Sequence, residues 1–151
     1  MTVRRAEVSE AAAVQRVINA AFNPAEAFFI DGDRIQLDEV RDHFEKGTFL
    51  VTEDVSGCVY VELRGQRAYF GLLSVDPARQ GGGVGRRLIS AAESYAREHG
   101  CGHMDIRVVN LREELPPFYR GLGYAVTGTE PFPAESPTKL QCHFVCMSKG
   151  L

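Results

Sequence analysis

The sequence predicts a single α/β domain, and three observations carry that expectation. Segments that alternate apolar with polar residues, the period of a strand with one face in a core, are interleaved with segments whose apolar residues recur at helical spacing. The 151 residues suffice for one sizeable core, and no repeat, linker or low-complexity tract divides them, so residues 1–151 are expected to form one unit. A glycine-rich corner, Gln80-Gly81-Gly82-Gly83-Val84-Gly85, joins an apolar strand pattern directly to a helical one.

Residues 3–6 read as a short opening strand. Ser9 can cap a first helix in which Val14, Val17, Ile18, Ala21 and Phe22 share a face, and which is expected to end before Asn23-Pro24. Phe28-Phe29-Ile30-Asp31-Gly32-Asp33 interrupts the pattern with an aromatic pair and turn residues. A second helix is expected after Asp38, its cap, with Val40 and Phe44 turned inward and Gly47 closing it. Strands follow at 48–53 and 58–64; in the second, Val59, Val61 and Leu63 alternate with Tyr60, Glu62 and Arg64. Gly65-Gln66 turns the chain into a strand over 67–75, which Asp76-Pro77 ends. The helix beyond the glycines carries Val84, Leu88, Ala92, Tyr95 and Ala96 inward and stops at His99-Gly100. Residues 103–109 alternate again, with Met104, Ile106 and Val108 on one face. Pro116 and Pro117 cannot lie inside a regular helix, so a short one is expected from about Pro117. Residues 128–139, with three prolines, read as a loop, and 141–148 as a closing strand.

A glycine-rich strand-to-helix corner is an anion-binding device: backbone N–H groups converge, glycine admits a ligand to the main chain, and the helix dipole favours negative charge. Arg79, Arg86 and Arg87 surround it with positive charge. A nucleoside-triphosphate loop would need Gly-Lys-Ser/Thr, but Arg86-Arg87 follows Gly85. The dinucleotide fingerprint would need a third glycine where Arg86 or Leu88 stands.

What the corner does match is Gln/Arg-x-x-Gly-x-Gly/Ala behind a strand ending in Val75-Asp76-Pro77, which resembles the coenzyme A pyrophosphate loop of the GNAT superfamily of N-acetyltransferases. Phe118-Tyr119-Arg120-Gly121-Leu122-Gly123-Tyr124 is similar to that superfamily's second motif. The spacing from Asn110 to Tyr119 resembles a subset marked here by Arg112, Glu114, Leu115, Phe118 and Tyr119, and it leaves open whether Asn110 reaches the coenzyme. The resemblance covers the whole chain and implies a mixed, mostly antiparallel sheet of about six to seven strands flanked by about four helices. It implies acetyl-CoA as cosubstrate, held by Gln80, Gly81, Gly82, Gly83, Val84, Gly85 and Arg86, with Asn110 a further contact and backbone groups near Leu73, Ser74 and Val75 facing the thioester where their strand splays from its neighbour. The implied reaction is direct acetyl transfer to a primary amine of a small molecule or peptide in a ternary complex; the alternative is a non-catalytic acyl-CoA-binding or sensory domain of the same fold.

Tyr119, placed by its motif near the coenzyme sulfur, is the candidate proton donor to the departing thiolate. The strand before the glycines contains no acid, so Glu62 on its neighbour is the candidate base, with a solvated strand-face role as its alternative and His103 and His143 as other options. Phe28, Phe29 and Asp31 could present an apolar wall and negative charge to a cationic amine, with the loop around Phe132 as the opposite lip. A net charge of −3 argues against nucleic acid as a partner. The four cysteines form no Cys-x-x-Cys pair, so reduced thiols and no metal are expected. Neither a membrane-length apolar tract nor a signal peptide stands out, which leads to an expected cytoplasmic location, and the apolar last strand permits a homodimer.

Overall fold

The computed structural model describes residues 2–133 and 138–151. Its elements run β1 (Val3–Arg5), α1 (Ala11–Glu26), α2 (Leu37–Lys46), β2 (Thr48–Thr52), β3 (Gly57–Arg64), β4 (Arg67–Val75), α3 (Val84–Glu98), β5 (His103–Val109), α4 (Leu115–Gly121), β6 (Ala125–Pro131) and β7 (His143–Gly150). The strands form one seven-stranded sheet in the order β1-β2-β3-β4-β5-β7-β6. Short turns make the hairpins antiparallel, and β4 with β5 is the parallel pair, bridged by the crossover helix α3 that such a pair requires. This is the α/β architecture the sequence implies.

Strand alternation divides the core. On one face Val59, Val61, Phe70, Met104, Ile106 and Met147 meet Leu88, Ile89, Ala92 and Ala96 of α3, with Tyr119 of α4 joining them. On the other, Val14, Val17, Ile18 and Val40 of α1 and α2 meet Phe49, Val51, Cys58 and Tyr60. A smaller cluster joins Phe29 to Val109 and Phe144.

Several local expectations change. α1 begins after a 3₁₀ turn whose capping box is Glu7 with Glu10, not at Ser9, and it continues through Pro24. A proline close to a helix end removes a single donor, and the Asn23 side chain does not stop the helix because it reaches across to Asp33 and the Arg34 N–H, at 2.9 and 3.0 Å. Gln36, in a reciprocal box with Glu39, caps α2 in place of Asp38. α4 starts at Leu115, since Pro116 and Pro117 fall in its first turn where no N–H is needed. Residues 128–131, expected in a loop, belong to β6; residues 134–137 of that expected loop lie outside the described residues. β7 runs between β5 and β6, so the apolar last strand offers no free edge to a second copy.

Two irregularities interrupt the sheet. Between Cys58 and Tyr60 the register with β4 shifts by one, and Leu72 there adopts φ +54°. This bulge turns Leu73 and Val75 toward the α3 side, where plain alternation would have put them on the α1 side. Second, β4 and β5 pair only through Arg67↔His103, Ala68↔Met104 and Tyr69↔Asp105, then part.

Candidate functional site

The corner after β4 is built from local chemistry. Asp76 accepts from the Ala78 N–H at 2.9 Å and caps a single 3₁₀ turn, Pro77–Arg79. The Gln80 amide donates to the Val75 carbonyl at 3.1 Å, tying the loop to the strand end. Gly81 and Gly83 then take φ +87° and +82°, which side chains resist. Gly83 is the N-cap of α3 and brings no capping side chain, so the first-turn N–H groups are presented to whatever anion enters. A Cβ at either glycine would meet no protein atom within 4 Å: the space before the backbone is open. Gly82 is exposed, Gly85 faces Val75, and the Arg86 guanidinium lies 5.5 Å from the Phe118 ring centre. Arg79 pairs with Asp54 at 3.2 Å.

The corner opens into a cleft of about 860 Å³. Leu73 and Val75 form one wall, Leu115 and Phe118 of α4 another, and Ala21, Phe22 and Pro24 of α1 a third. Where β4 leaves β5, β3 still pairs with one side of β4 and β7 with one side of β5, so each strand turns a row of backbone groups into the gap. An elongated ligand with an anionic group at the glycines and a hydrogen-bonding tail along the gap fits this shape.

Arg112 lines the cleft and is anchored by Glu26, Nη1 to Oε2 at 3.1 Å, and by Glu114 at 3.1 Å. Burial raises the carboxyl of Glu26, and this outweighs the opposing pull of Arg34 and Arg112. The pair ties the end of α1 to the β5–α4 turn. Sequence reading singled out Arg112 only within a motif and missed Glu26, since 86 residues separate the partners.

Tyr119 packs against Phe70, Tyr124 and Phe118, with ring centres 6.1, 5.8 and 5.1 Å away. Burial pushes its hydroxyl up to about 12. That hydroxyl makes no hydrogen bond among the described residues, so it is held protonated and uncommitted. Glu62 is differently placed. Its partial burial is outweighed by the Tyr60 hydroxyl, donating at 2.7 Å, and by Arg64 at 2.9 Å, so its carboxyl sits below the ordinary value.

The remaining predicted positions divide. Leu73 and Val75 face the cleft, whereas Ser74 is buried with its hydroxyl donating to the Leu72 carbonyl at 2.9 Å. Asn110 bridges β5 to β7, its Oδ1 accepting from the His143 N–H at 2.8 Å, and it does not line the cleft. Phe28 is exposed, but Phe29 is fully buried, because its ring closes the cluster over Val109 and Phe144. Asp31 pairs with Lys139 at 2.9 Å. His103 and His143 are exposed and outside the cleft. A residue not predicted is Tyr69. Its ring lies along β4 over Gly71, where a Cβ would stand 2.6 Å from its hydroxyl. The Tyr-x-Gly spacing on one strand face was its available signal.

A family model described as the acetyltransferase (GNAT) family matches residues 12–124, from α1 through the glycine corner and Tyr119 to Tyr124. The chain belongs to that family. This GNAT chain is 36% identical over 58 residues to streptothricin acetyltransferase of Streptomyces lavendulae, a match spanning 38% of this chain and 31% of that protein. Its fold is similar to that of yncA from Salmonella typhimurium, solved with acetyl-CoA, at TM-score 0.75 and 23% identity over 100% of this chain and 94% of the other. It is also similar to ribosomal-protein-alanine N-acetyltransferase from Brucella melitensis, at TM-score 0.78 and 18% identity over 100% of both chains. Those two likenesses speak for the fold; membership of the family rests on the family model.

Proposed function

We propose that this GNAT-family chain is an N-acetyltransferase that moves an acetyl group from acetyl-CoA to a primary amine by direct transfer in a ternary complex. The supporting observation is that one cleft runs from an uncapped glycine corner along Leu73 and Val75, the part of β4 that no longer pairs with β5. Gln80, Gly81, Gly82, Gly83, Val84, Gly85 and Arg86 would hold the pyrophosphate through backbone N–H groups and the helix dipole. Leu73 and Val75 would lie beside the pantetheine, with backbone donors of the β4 rim aimed at the thioester oxygen as negative charge develops there. Holding both reactants in one gap supplies part of the rate by orientation.

Tyr119 is the proposed proton donor: its raised pKa keeps the proton in place until the sulfur gains charge. Glu62, ionised at neutral pH, is the proposed proton acceptor for the incoming ammonium, acting through water because both its oxygens are engaged. The wall of Phe28 and Asp31, fixed by the buried Phe29, is the proposed outer lip of the acceptor entrance. A cytoplasmic location suits the donor, and no described helix is long and apolar enough to cross a membrane.

The test monitors free thiol released from acetyl-CoA across polyamines, amino acids, aminoglycosides and peptides, alongside the melting point with and without acetyl-CoA. At about a hundred times its Kd a ligand adds about 2.7 kcal/mol, which for this size raises the midpoint by about 5 to 11 °C. Such a shift with no thiol release from any amine would assign the chain to acyl-CoA binding without catalysis; no shift would sink the coenzyme assignment.

A further inference from the structure

α1 and α2 pack on β2, β3 and β4. Beside them, over β4, β5, β7 and β6, lies a second pocket of about 300 Å³, lined by Arg64, Tyr69, Asp105, Arg107, Glu130 and Cys146. Its position relative to the gap is specific. Tyr69 and Asp105 are the last β4–β5 pair, and Arg107 is the next residue of β5 on that face. The coenzyme cleft reaches the gap at Leu73 and Val75, on the α3 side; this pocket reaches it at Tyr69 and Arg107, on the other side.

The charges in and around the pocket are mostly spoken for. Asp105 is taken by Nε and Nη2 of Arg67, at 2.8 and 2.6 Å. Glu62 is taken by Tyr60 and Arg64. Arg107 is the exception: its one ionic contact among the described residues is a single Nη1 to Glu130 at 3.5 Å, and Glu130 is itself exposed. The other N–H groups of Arg107 have no hydrogen-bond partner among the described residues. Its guanidinium is fixed over the Phe144 ring at 4.3 Å and flanks the Tyr69 ring at 6.0 Å, while Arg64 lies over the same tyrosine at 4.6 Å. A guanidinium resting against an aromatic ring, with donors unspent, is suited to bidentate recognition of a carboxylate.

We propose that this pocket receives the acceptor, and that the acceptor is an amino carboxylate, a primary amine within a few bonds of a carboxylate, whose carboxylate is held by Arg107 while its amine enters the gap past Tyr69. The inference rests on the acetyl-transfer reading and names its substrate class. In the transfer the amine nitrogen bonds to the acetyl carbon, the carbon–sulfur bond breaks, the nitrogen gives up a proton, and the sulfur leaves as thiol. Arg107 is a specificity-determining residue in this scheme and takes no part in the proton transfers. The Tyr69 hydroxyl, folded over Gly71, forms the sill between pocket and gap.

The test supplies saturating acetyl-CoA and compares free L-amino acids, β- and γ-amino acids, and the carboxamide of each, by thiol release with the parent, Arg107→Gln and Arg107→Lys. The expected result is at least one acid preferred at least about tenfold in kcat/KM over its carboxamide. Arg107→Gln should raise KM for that acid by about 10- to 100-fold, the range for a lost hydrogen-bonded charge, leave kcat within about threefold, and leave the carboxamide unaffected. Arg107→Lys should recover part of the loss, since it keeps the charge without the fork. Arg107 is exposed, so the melting point and its shift with acetyl-CoA should match the parent's and exclude a folding defect. Preference for carboxamides or simple amines, or an equal effect of Arg107→Gln on acid and carboxamide, overturns the inference alone. Thiol release from no acceptor, with acetyl-CoA bound, overturns the acetyl-transfer reading and this inference with it.

Discussion

Replacing Tyr119 by phenylalanine separates catalysis from architecture. The residue is only 6% exposed, and its contacts to Phe70, Phe118 and Tyr124 are made by the ring, which phenylalanine keeps. Its hydroxyl has no hydrogen-bond partner among the described residues, so the variant gives up none within the protein. Stability should therefore change by less than about 0.5 kcal/mol, and the midpoint by less than about 2 °C. Turnover should fall by about 10² to 10⁴, the usual contribution of a positioned general acid. Because burial lifts the parent hydroxyl to about 12, it stays protonated through any ordinary assay, and the parental rate should show no alkaline decline below about pH 10 on its account. Melting point, acetyl-CoA affinity and thiol release are measured on one preparation of each protein. Near-parental turnover with unchanged stability would remove Tyr119 from the chemistry and leave protonation of the thiolate to solvent.

Gly83→Val should abolish the melting-point shift with acetyl-CoA while the protein stays folded, because φ +82° resists a branched side chain and the new atoms fill the space before the helix N-terminus; a normal shift would reduce the corner to a helix cap. Glu62→Gln should lower kcat at unchanged acetyl-CoA affinity, and since its carboxyl already lies below the ordinary value the acid limb of the rate profile should keep its position; an unaltered kcat would end its candidacy as the base. Stability should fall with acid in a definite window: Arg4 holds the carboxyl of Glu10 down to about 2, so its contribution is present above the unfolded value of about 4.5 and is lost as pH falls toward 2. Denaturation midpoints for the parent and Arg4→Ala over that range test this, and equal slopes would refute it.

The legible parts of the chain were those whose determinants are local. The glycine corner, the inner stripe of α3 and the alternation of β5 can each be read within one element, and all stand where expected. What escaped depends on distant partners. Asn23 looks like a helix terminator until residues 33 and 34 arrive to occupy its amide. β6 is an edge strand exposed along its length, so it has no buried face to alternate, and Pro131 suits an edge as well as a loop. A leucine at φ +54° leaves no trace in composition, yet the bulge it makes decides which side chains of β4 face the cleft. Arg107 is an ordinary strand residue in sequence and Tyr69 is marked only by the glycine two places on; their placement at the mouth of the gap follows from the point where β4 and β5 cease to pair.

That point of parting has a mechanical meaning. The seven strands are in effect two rafts, β1 to β4 and β5 with β7 and β6, stitched along three residue pairs and connected along the chain by α3. Each raft presents to the other an edge of the kind proteins usually hide, and here the interior of the fold hides it. A stitch so short leaves the two rafts sharing few ladder bonds, and any molecule that hydrogen-bonds to both rims lengthens it. Amides of β4 beyond Tyr69 that point toward β5 would exchange with solvent faster than their neighbours bonded to β3, and a bridging ligand would erase the difference. The empty protein and the filled one would then differ less in shape than in how much of the sheet moves as one body.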